Sequence, residues 1–353
     1  MNIANRPYDV VFGDLAGIAR QMTDAGLRKG PCLVVTDNKV AELYLKDVHR
    51  ALTDGGWKPV PISIPPGEPS KSSKELSRLY DFALDQGIDR TTPLVALGGG
   101  VVGDLAGFCA ATVLRGIPLV HVPTTLVAQV DSSIGGKTGI NHPRGKNLIG
   151  AFHQPRLVYS DVTCLASLSE PEWYSGLAEA VKHALIDGPN LIRQMLTEWE
   201  ALAERDPETL RRLIPRLADV KVGIVTKDVH EDGIRAHLNL GHTVAHAVEQ
   251  TAGYGRILHG QAVTIGLAVA LRLSELRYQE ADFSGAWALV GRLPKKAVDD
   301  IAFEKVALAM GLDKKNVGGE LRFVLLSRPG EACLVSDVGL PEIEDAWEWM
   351  QNR

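Results

Sequence analysis

"LVALGGGVVGDLAGF", residues 94–108, decides the fold. Four apolar residues run into three consecutive glycines, and a helical apolar pattern follows. Within it Gly98, Gly100 and Gly103 keep GxGxxG spacing, in the strand-then-helix context where that motif has a physical meaning. Glycine lets the backbone come close to a pyrophosphate, and the N-terminus of the following helix favours negative charge. A dinucleotide site is therefore expected here, a tight strand–helix turn being the other use of the same residues. The motif follows the fourth apolar run rather than the first, and no acidic residue lies about 20 positions further on to meet a ribose. Asp37, which ends "CLVVTD", is the candidate for that role.

Outward from this motif, short β-branched runs alternate with helix-length segments: "YDVVF", "CLVVT", "VPISI", "LVAL", "PLVHV" and "LVYS". That alternation predicts βα units around a mostly parallel sheet. From about Leu165 the texture changes to long helical periodicities such as "GLAEAVKHALI", and "LRFVLL" with "EACLV" reads as a small hairpin before the last helix. The expected fold is an α/β Rossmann-like N-terminal domain, residues 1–160, followed by a mainly α-helical domain, residues 161–353. A chain of 353 residues exceeds the size of roughly 250 to 300 at which single cores stop growing.

Composition narrows the function classes. The net charge of −5 offers no basic footprint for nucleic acid. Cys32, Cys109, Cys164 and Cys333 lie too far apart for a zinc ribbon or a redox CxxC pair, so buried reduced thiols are expected. "AVTIGLAVAL", residues 262–271, falls short of the roughly 20 residues that span a bilayer. The first residues lack the basic-then-apolar plan of a signal peptide, and cytoplasm is the expected location.

Two further stretches carry chemistry. "DSSIGGKT", residues 131–138, misses a nucleotide P-loop because Asp131 stands where the first glycine belongs, which argues against an ATPase. Asp131, Lys137, Lys146 and Asn147 still sit among glycines and small residues, a composition suited to an anion. In "NLGHTVAHAVEQ", residues 239–250, His242 and His246 share one helix face. Thr243 takes the glutamate position of HExxH, so protease chemistry is disfavoured. Glu179, His183, His242, His246 and His259 are the candidate donors for a catalytic metal, which uses imidazole and carboxylate ligands and keeps one position open. Spacing alone leaves open whether His242 and His246 hold one ion.

The segments "GGGVVGDLAGF", "RGIPLVHVPTTLVAQVDSSIGGKTGIN", "GKNLIGAFHQP", "SGLAEAVKHALI", "IRAHLNLGHTVAHAVE", "HGQAVTIGLA" and "DKKNVGGELRFVLL" together resemble the sugar phosphate cyclase family, and within it the 3-dehydroquinate synthases. The resemblance implies NAD and a divalent metal, zinc or cobalt, as cofactors. It assigns the metal to Glu179, His242 and His259, and gives His246 to the substrate phosphate. It implies that Asp131 and Lys182 approach the reacting hydroxyls and Lys137 and Asn147 the phosphate, while Lys221, Arg235 and Asn239 face a carboxylate. Lys314 or Lys315 would close on the phosphate, and Arg115 would reach the neighbouring subunit of a homodimer. For NAD it implies Asp37, Glu68, Lys71, Gly99, Gly100, Asp104, Thr124, Thr125, Lys146 and Ser167, the last where threonine is more usual.

The implied reaction converts 3-deoxy-D-arabino-heptulosonate 7-phosphate to 3-dehydroquinate and phosphate, a step of the shikimate pathway to aromatic amino acids, with the NAD-dependent oxidation reversed within each turnover. Gln261 and Val229 replace commonly acidic residues without touching the implied metal or phosphate positions. The rivals are a sister cyclase, including one acting on an amino-substituted heptulosonate, and a metal-dependent NAD alcohol or glycerol dehydrogenase.

Overall fold

The structure, a computed structural model, describes residues 8–253, 256–294, 301–314 and 321–352. The chain forms two compact units. The first takes the residues up to Leu168 together with Leu210–His230; the second takes Ser169–Thr209 and Glu231 onward. Most of the helix Pro207–Lys227, beyond the boundary expected near residue 160, thus packs with the N-terminal unit. Its apolar face supplies Ala218 and Val222 to a small cluster with Ile134, Val10 and Phe12.

Ten strands occur among the described residues: β1 (Asp9–Phe12), β2 (Pro31–Asp37), β3 (Lys58–Ile64), β4 (Leu94–Gly98), β5 (Leu119–Pro123), β6 (Lys137–His142), β7 (Gly145–Phe152), β8 (Leu157–Ser160), β9 (Phe323–Arg328) and β10 (Glu331–Val335). Six of them form a parallel sheet in the order β1-β8-β5-β4-β2-β3. The six apolar runs of the sequence are these six strands. In β4, β5 and β8 every residue is buried, as expected of strands covered by helices on both faces.

Side-chain alternation assigns the two layers. Cys32 and Val34 of β2 and Val95 and Leu97 of β4 pack with Ile18, Met22, Val48 and Leu52 on one face. Leu33 and Val35, with Leu94 and Ala96, pack with Leu76, Leu79, Leu105 and Phe108 on the other. From β2 the chain steps outward to β3, and from β4 it steps the opposite way to β5. The reversal between β2 and β4 is a topological switch point, where open α/β sheets leave a crevice at their carboxyl ends. β6 and β7 form a separate antiparallel ribbon that the sequence expectation did not include.

The second unit is mainly helical, and β9 and β10 form the expected antiparallel hairpin. The helix Glu170–Asp187 starts at a capping pair in which the Ser169 amide donates to Glu172, with Pro171 in its first turn. Gly188, at φ 121°, ends it. The helix His259–Arg277 starts where the Leu258 amide donates to the Gln261 amide oxygen at 3.0 Å. An amide oxygen serves that cap as a carboxylate would, so Gln261 leaves the helix start intact. No helix among the described residues is long and apolar enough to cross a membrane.

Candidate active site

In the first unit the glycine run lies at the carboxyl end of β4. Gly99 is the N-cap of the helix Gly100–Thr112, and Asp37 ends the neighbouring β2. A Cβ on Gly98 would stand 2.7 Å from the Val102 side chain, and one on Gly99 2.8 Å from Thr125 Cγ2. Substitution would therefore push apart the strand, the helix and the loop after β5. The bare helix start and the acidic end of β2 flank the switch point, which suits a dinucleotide's pyrophosphate and ribose. Asp37 Oδ1 accepts the Val40 amide at 2.9 Å, which orients the carboxylate. Thr124 anchors its loop through its amide to the Gly98 carbonyl at 3.0 Å, and Thr125 Oγ1 accepts the Ala128 amide.

Other expected cofactor residues gather around a buried lysine. Lys71, 4% exposed, donates to Asp104 at 2.7 Å and to the Asn147 side-chain oxygen, with Glu68 3.7 Å away. Glu68 in turn accepts from Asn141 at 2.8 Å. Burial raises the Asp104 carboxyl, against the pull of Lys71. Asn147, expected at the phosphate, thus stands with the Lys71 group, at a positive φ of 56°. Lys146 and Lys137 lie on the β6–β7 ribbon, Lys137 exposed at its start. Ser167 accepts the Tyr44 hydroxyl at 2.6 Å, a partnership that spacing gave no means of seeing. Lys221 of the returning helix donates to both the carbonyl and the carboxylate of Asp131.

In the second unit three helices converge because glycines permit it. Gly241, at φ 79°, precedes the helix His242–Ala252, and a Cβ on Gly266 would lie 1.9 Å from its carbonyl oxygen. A Cβ on Gly260 would lie 2.2 Å from the Ser175 carbonyl oxygen. His242, His259 and Glu179 are thereby drawn together, their ligand atoms all within 4.8 Å of one another. His259 Nε2 lies 3.1 Å and His242 Nε2 3.5 Å from the same Glu179 oxygen, Oε1. The opposite ring nitrogens are occupied: His242 Nδ1 meets the Leu240 carbonyl at 3.2 Å, and His259 Nδ1 meets Glu249 Oε2 at 3.3 Å. Carbonyl and carboxylate oxygens only accept, so each Nδ1 carries its hydrogen and each Nε2 faces the common point.

Electrostatics at this point favour a cation. Burial alone would raise the Glu179 carboxyl, but Lys182 and His242 hold it well below the usual range. Burial would likewise lower His259, yet the hydrogen bonds it donates to the Glu179 and Glu249 carboxylates push it up to about 10. Lys182, beside Glu179, and the raised His259 imidazole, between Glu179 and Glu249, supply positive charge that two buried carboxylates require. Two imidazoles and one carboxylate are a catalytic donor set for zinc or cobalt, so the residues fit the expected ion. His246 is exposed, its ring 5.3 Å from that of His242, and it is not one of the three converging donors. His183 is fully buried one turn along from Glu179.

Arg235 is buried to 1% in the short helix Ile234–Asn239, and Asn239 donates to Glu231 at 3.1 Å. Glu231 and Glu249 were absent from the sequence expectation. The signal for Glu249 is a carboxylate seven residues after His242, on the same helix face; Glu231 carries none. Arg115 is exposed after two left-handed residues, Leu114 and Arg115 itself. Lys315 lies outside the described residues, as does the side chain of Lys314.

A glycine-lined switch point in one unit and a His/Glu cation site in the other suit the NAD- and metal-dependent sugar phosphate cyclases. The sequence matches 3-dehydroquinate synthase N-terminal over residues 61–175 and 3-dehydroquinate synthase C-terminal over residues 176–316. The chain belongs to the 3-dehydroquinate synthase family. It is 45% identical to the 3-dehydroquinate synthase of Salinibacter ruber, covering 99% of this chain and 96% of that one. The corresponding synthase of Geobacter metallireducens is 44% identical, over 98% and 97% of the two chains. Among solved structures, the 2-epi-5-epi-valiolone synthase ValA from Streptomyces hygroscopicus, with NAD+ and Zn2+ bound, is 26% identical with a TM-score of 0.89, covering 100% of this chain and 99% of that one. Glycerol dehydrogenase from Schizosaccharomyces pombe, 16% identical over 97% of this chain and 88% of its own, shares the fold at a TM-score of 0.66.

Proposed function

We propose that the chain converts 3-deoxy-D-arabino-heptulosonate 7-phosphate to 3-dehydroquinate and phosphate, using NAD and a divalent metal, with the residue roles set out here. It is an enzyme of the 3-dehydroquinate synthase family, and the observation that carries the metal-dependent reading is the convergence of His242 Nε2 and His259 Nε2 on one oxygen of Glu179. When bound, NAD+ takes up and returns a hydride, and zinc or cobalt lowers the pKa of a substrate hydroxyl. Glu179, His242 and His259 hold the ion; Gly99, Gly100, Asp37, Asp104 and Thr124 hold the dinucleotide.

The remaining groups position substrate. Lys182, fully buried beside Glu179, is placed to stabilise an oxygen losing its proton, and Asp131, oriented by Lys221, pairs with a hydroxyl. Exposed His246 and Lys137 bind phosphate, with Lys314 or Lys315 closing over it. Arg235 and Asn239 read the carboxylate, with Lys221. Holding both charged ends fixes the intervening carbons, the orientation contribution to rate.

We also infer a cytoplasmic homodimer in which Arg115 completes the neighbouring site. Leu148 and Phe152, four apart on one face of β7, are 59% and 47% exposed, apolar surface suited to a second copy. Arg115 is held exposed by two strained backbone positions, and such strain concentrates at functional sites. Incubating the metal-loaded protein with NAD and the heptulosonate phosphate tests the reaction: phosphate and 3-dehydroquinate should accumulate together with no build-up of NADH. Stoichiometric NADH would instead place the chain among the dehydrogenases.

A further inference from the structure

Glu249 lies outside the three converging donors, yet it is buried to 4% on the helix that carries His242. Its Oε2 stands 3.3 Å from Nδ1 of His259, whose Nε2 faces Glu179 at 3.1 Å. The carboxylate only accepts, so the contact holds the hydrogen on Nδ1 and leaves Nε2 as the atom that can bind an ion. It also fixes the ring plane, which an imidazole at the first position of a helix does not control by itself. His242 has a neutral carbonyl in the same position, so the two imidazoles differ in the charge behind them.

We propose that Glu249 is a positioning residue for the metal: it orients His259, fixes its tautomer and strengthens it as a donor through the bonded carboxylate. The proposal rests on the reading of Glu179, His242 and His259 as the metal ligands. Partners of this kind behind a ligating histidine commonly contribute about 10- to 100-fold in metal affinity.

The test measures cobalt dissociation constants by chelator competition on the metal-depleted full-length chain, with the visible absorption of the bound cobalt as a spectroscopic readout. Glu249→Ala should weaken cobalt binding about 10- to 100-fold and alter the spectrum, while NAD affinity stays at the wild-type value. Glu249→Gln, nearly isosteric and able to accept through its amide oxygen, should fall between the two, and it keeps the test open should the alanine variant not fold. In a His259→Ala background Glu249→Ala should have no further effect, because its route to the metal has been removed. Wild-type affinity and spectrum in both Glu249 variants would overturn the proposal, as would an equal loss in the His259→Ala background. Unchanged affinity in His259→Ala alone would overturn the ligand reading itself and the proposal with it.

Discussion

The amide of Gly260 donates to the Ser175 hydroxyl at 2.9 Å, and the Ser175 carbonyl oxygen lies 2.2 Å from where a Cβ on Gly260 would be. This contact seats the first turn of the helix His259–Arg277 against the helix Glu170–Asp187, and so sets His259 beside Glu179. Gly260→Ala should separate the two helices, lose metal, and destabilise the protein by about 1 to 3 kcal/mol through overpacking. Metal analysis and thermal melting check it. Gly223→Ala is the control: that glycine is exposed in the helix Pro207–Lys227 with nothing within 4 Å of its would-be Cβ, and the change should stabilise by up to about 1 kcal/mol. Full metal content in Gly260→Ala would mean that the contact does not set the site.

The two histidines one turn apart should separate by function. His242→Ala should lose metal and activity together, because His242 is one of the three converging donors. His246→Ala, at an exposed position, should keep metal and lose mainly phosphate handling. Metal content of the two purified variants decides the matter, and equal loss would make both of them ligands.

Metal binding should displace protons. In the metal-free protein His259 is pushed up to about 10 by Glu179 and Glu249 against the effect of burial, so near pH 7.5 its Nε2 is protonated. An ion must replace that proton, and affinity should climb with pH by as much as about tenfold per unit below 10. Titration calorimetry in buffers of different ionisation enthalpy measures the release. Zero release at pH 7.5 would contradict this picture of His259.

A second pH effect acts on stability. Burial, with His153 adding to it, pushes the His121 imidazole down to about 4. A depressed imidazole has no effect above its unfolded value near 6.5. Below it the unfolded chain takes up a proton that the native one refuses, so stability falls between pH 6.5 and 4, by on the order of 3 kcal/mol. His121→Gln should lower stability by a constant amount but flatten this part of the profile. Parallel wild-type and variant curves from denaturant unfolding would remove His121 as the cause.

Arg235, buried to 1%, should select for the substrate carboxylate. A guanidinium pairs with a carboxylate through two parallel hydrogen bonds, which a substrate lacking the carboxylate cannot make. Arg235→Ala should cut turnover of the heptulosonate far more than it affects NAD binding. The unmodified enzyme should in turn reject sedoheptulose 7-phosphate by orders of magnitude. Comparable rates on the two substrates would argue against the carboxylate role.

The six sheet strands and the β9–β10 hairpin are legible in the sequence because each is a local pattern: β-branched runs, turn residues between them, and an apolar stretch ending in glycines. The chemical types of the site, imidazoles, lysines and a buried glutamate on helical patterns, are legible for the same reason. What lies across the chain is not. The ribbon of β6 and β7 reads locally as a glycine-rich loop, although "NHPRG" between its strands is turn chemistry. The bond of Asn147 to Lys71 joins residues 76 apart, and Glu249 gains its meaning only from His259 on another helix.

The sequence by itself therefore determined the six sheet strands and the β9–β10 hairpin, the glycine-marked helix start at Gly99 and Gly100, the family, and the residue kinds available for catalysis. Only the tertiary structure decided that β2 and β4 flank the switch point, so that Asp37 stands beside the glycines although 61 positions separate it from Gly98. Spacing leaves open whether His242 and His246 share an ion; the resemblance names His259 instead, and the structure brings His242 and His259 onto Glu179. The physical reason is that helical periodicity places two residues on one face but says nothing about what that face meets. That was settled by the close approaches at Gly241, Gly260 and Gly266, where a missing Cβ lets one backbone reach another.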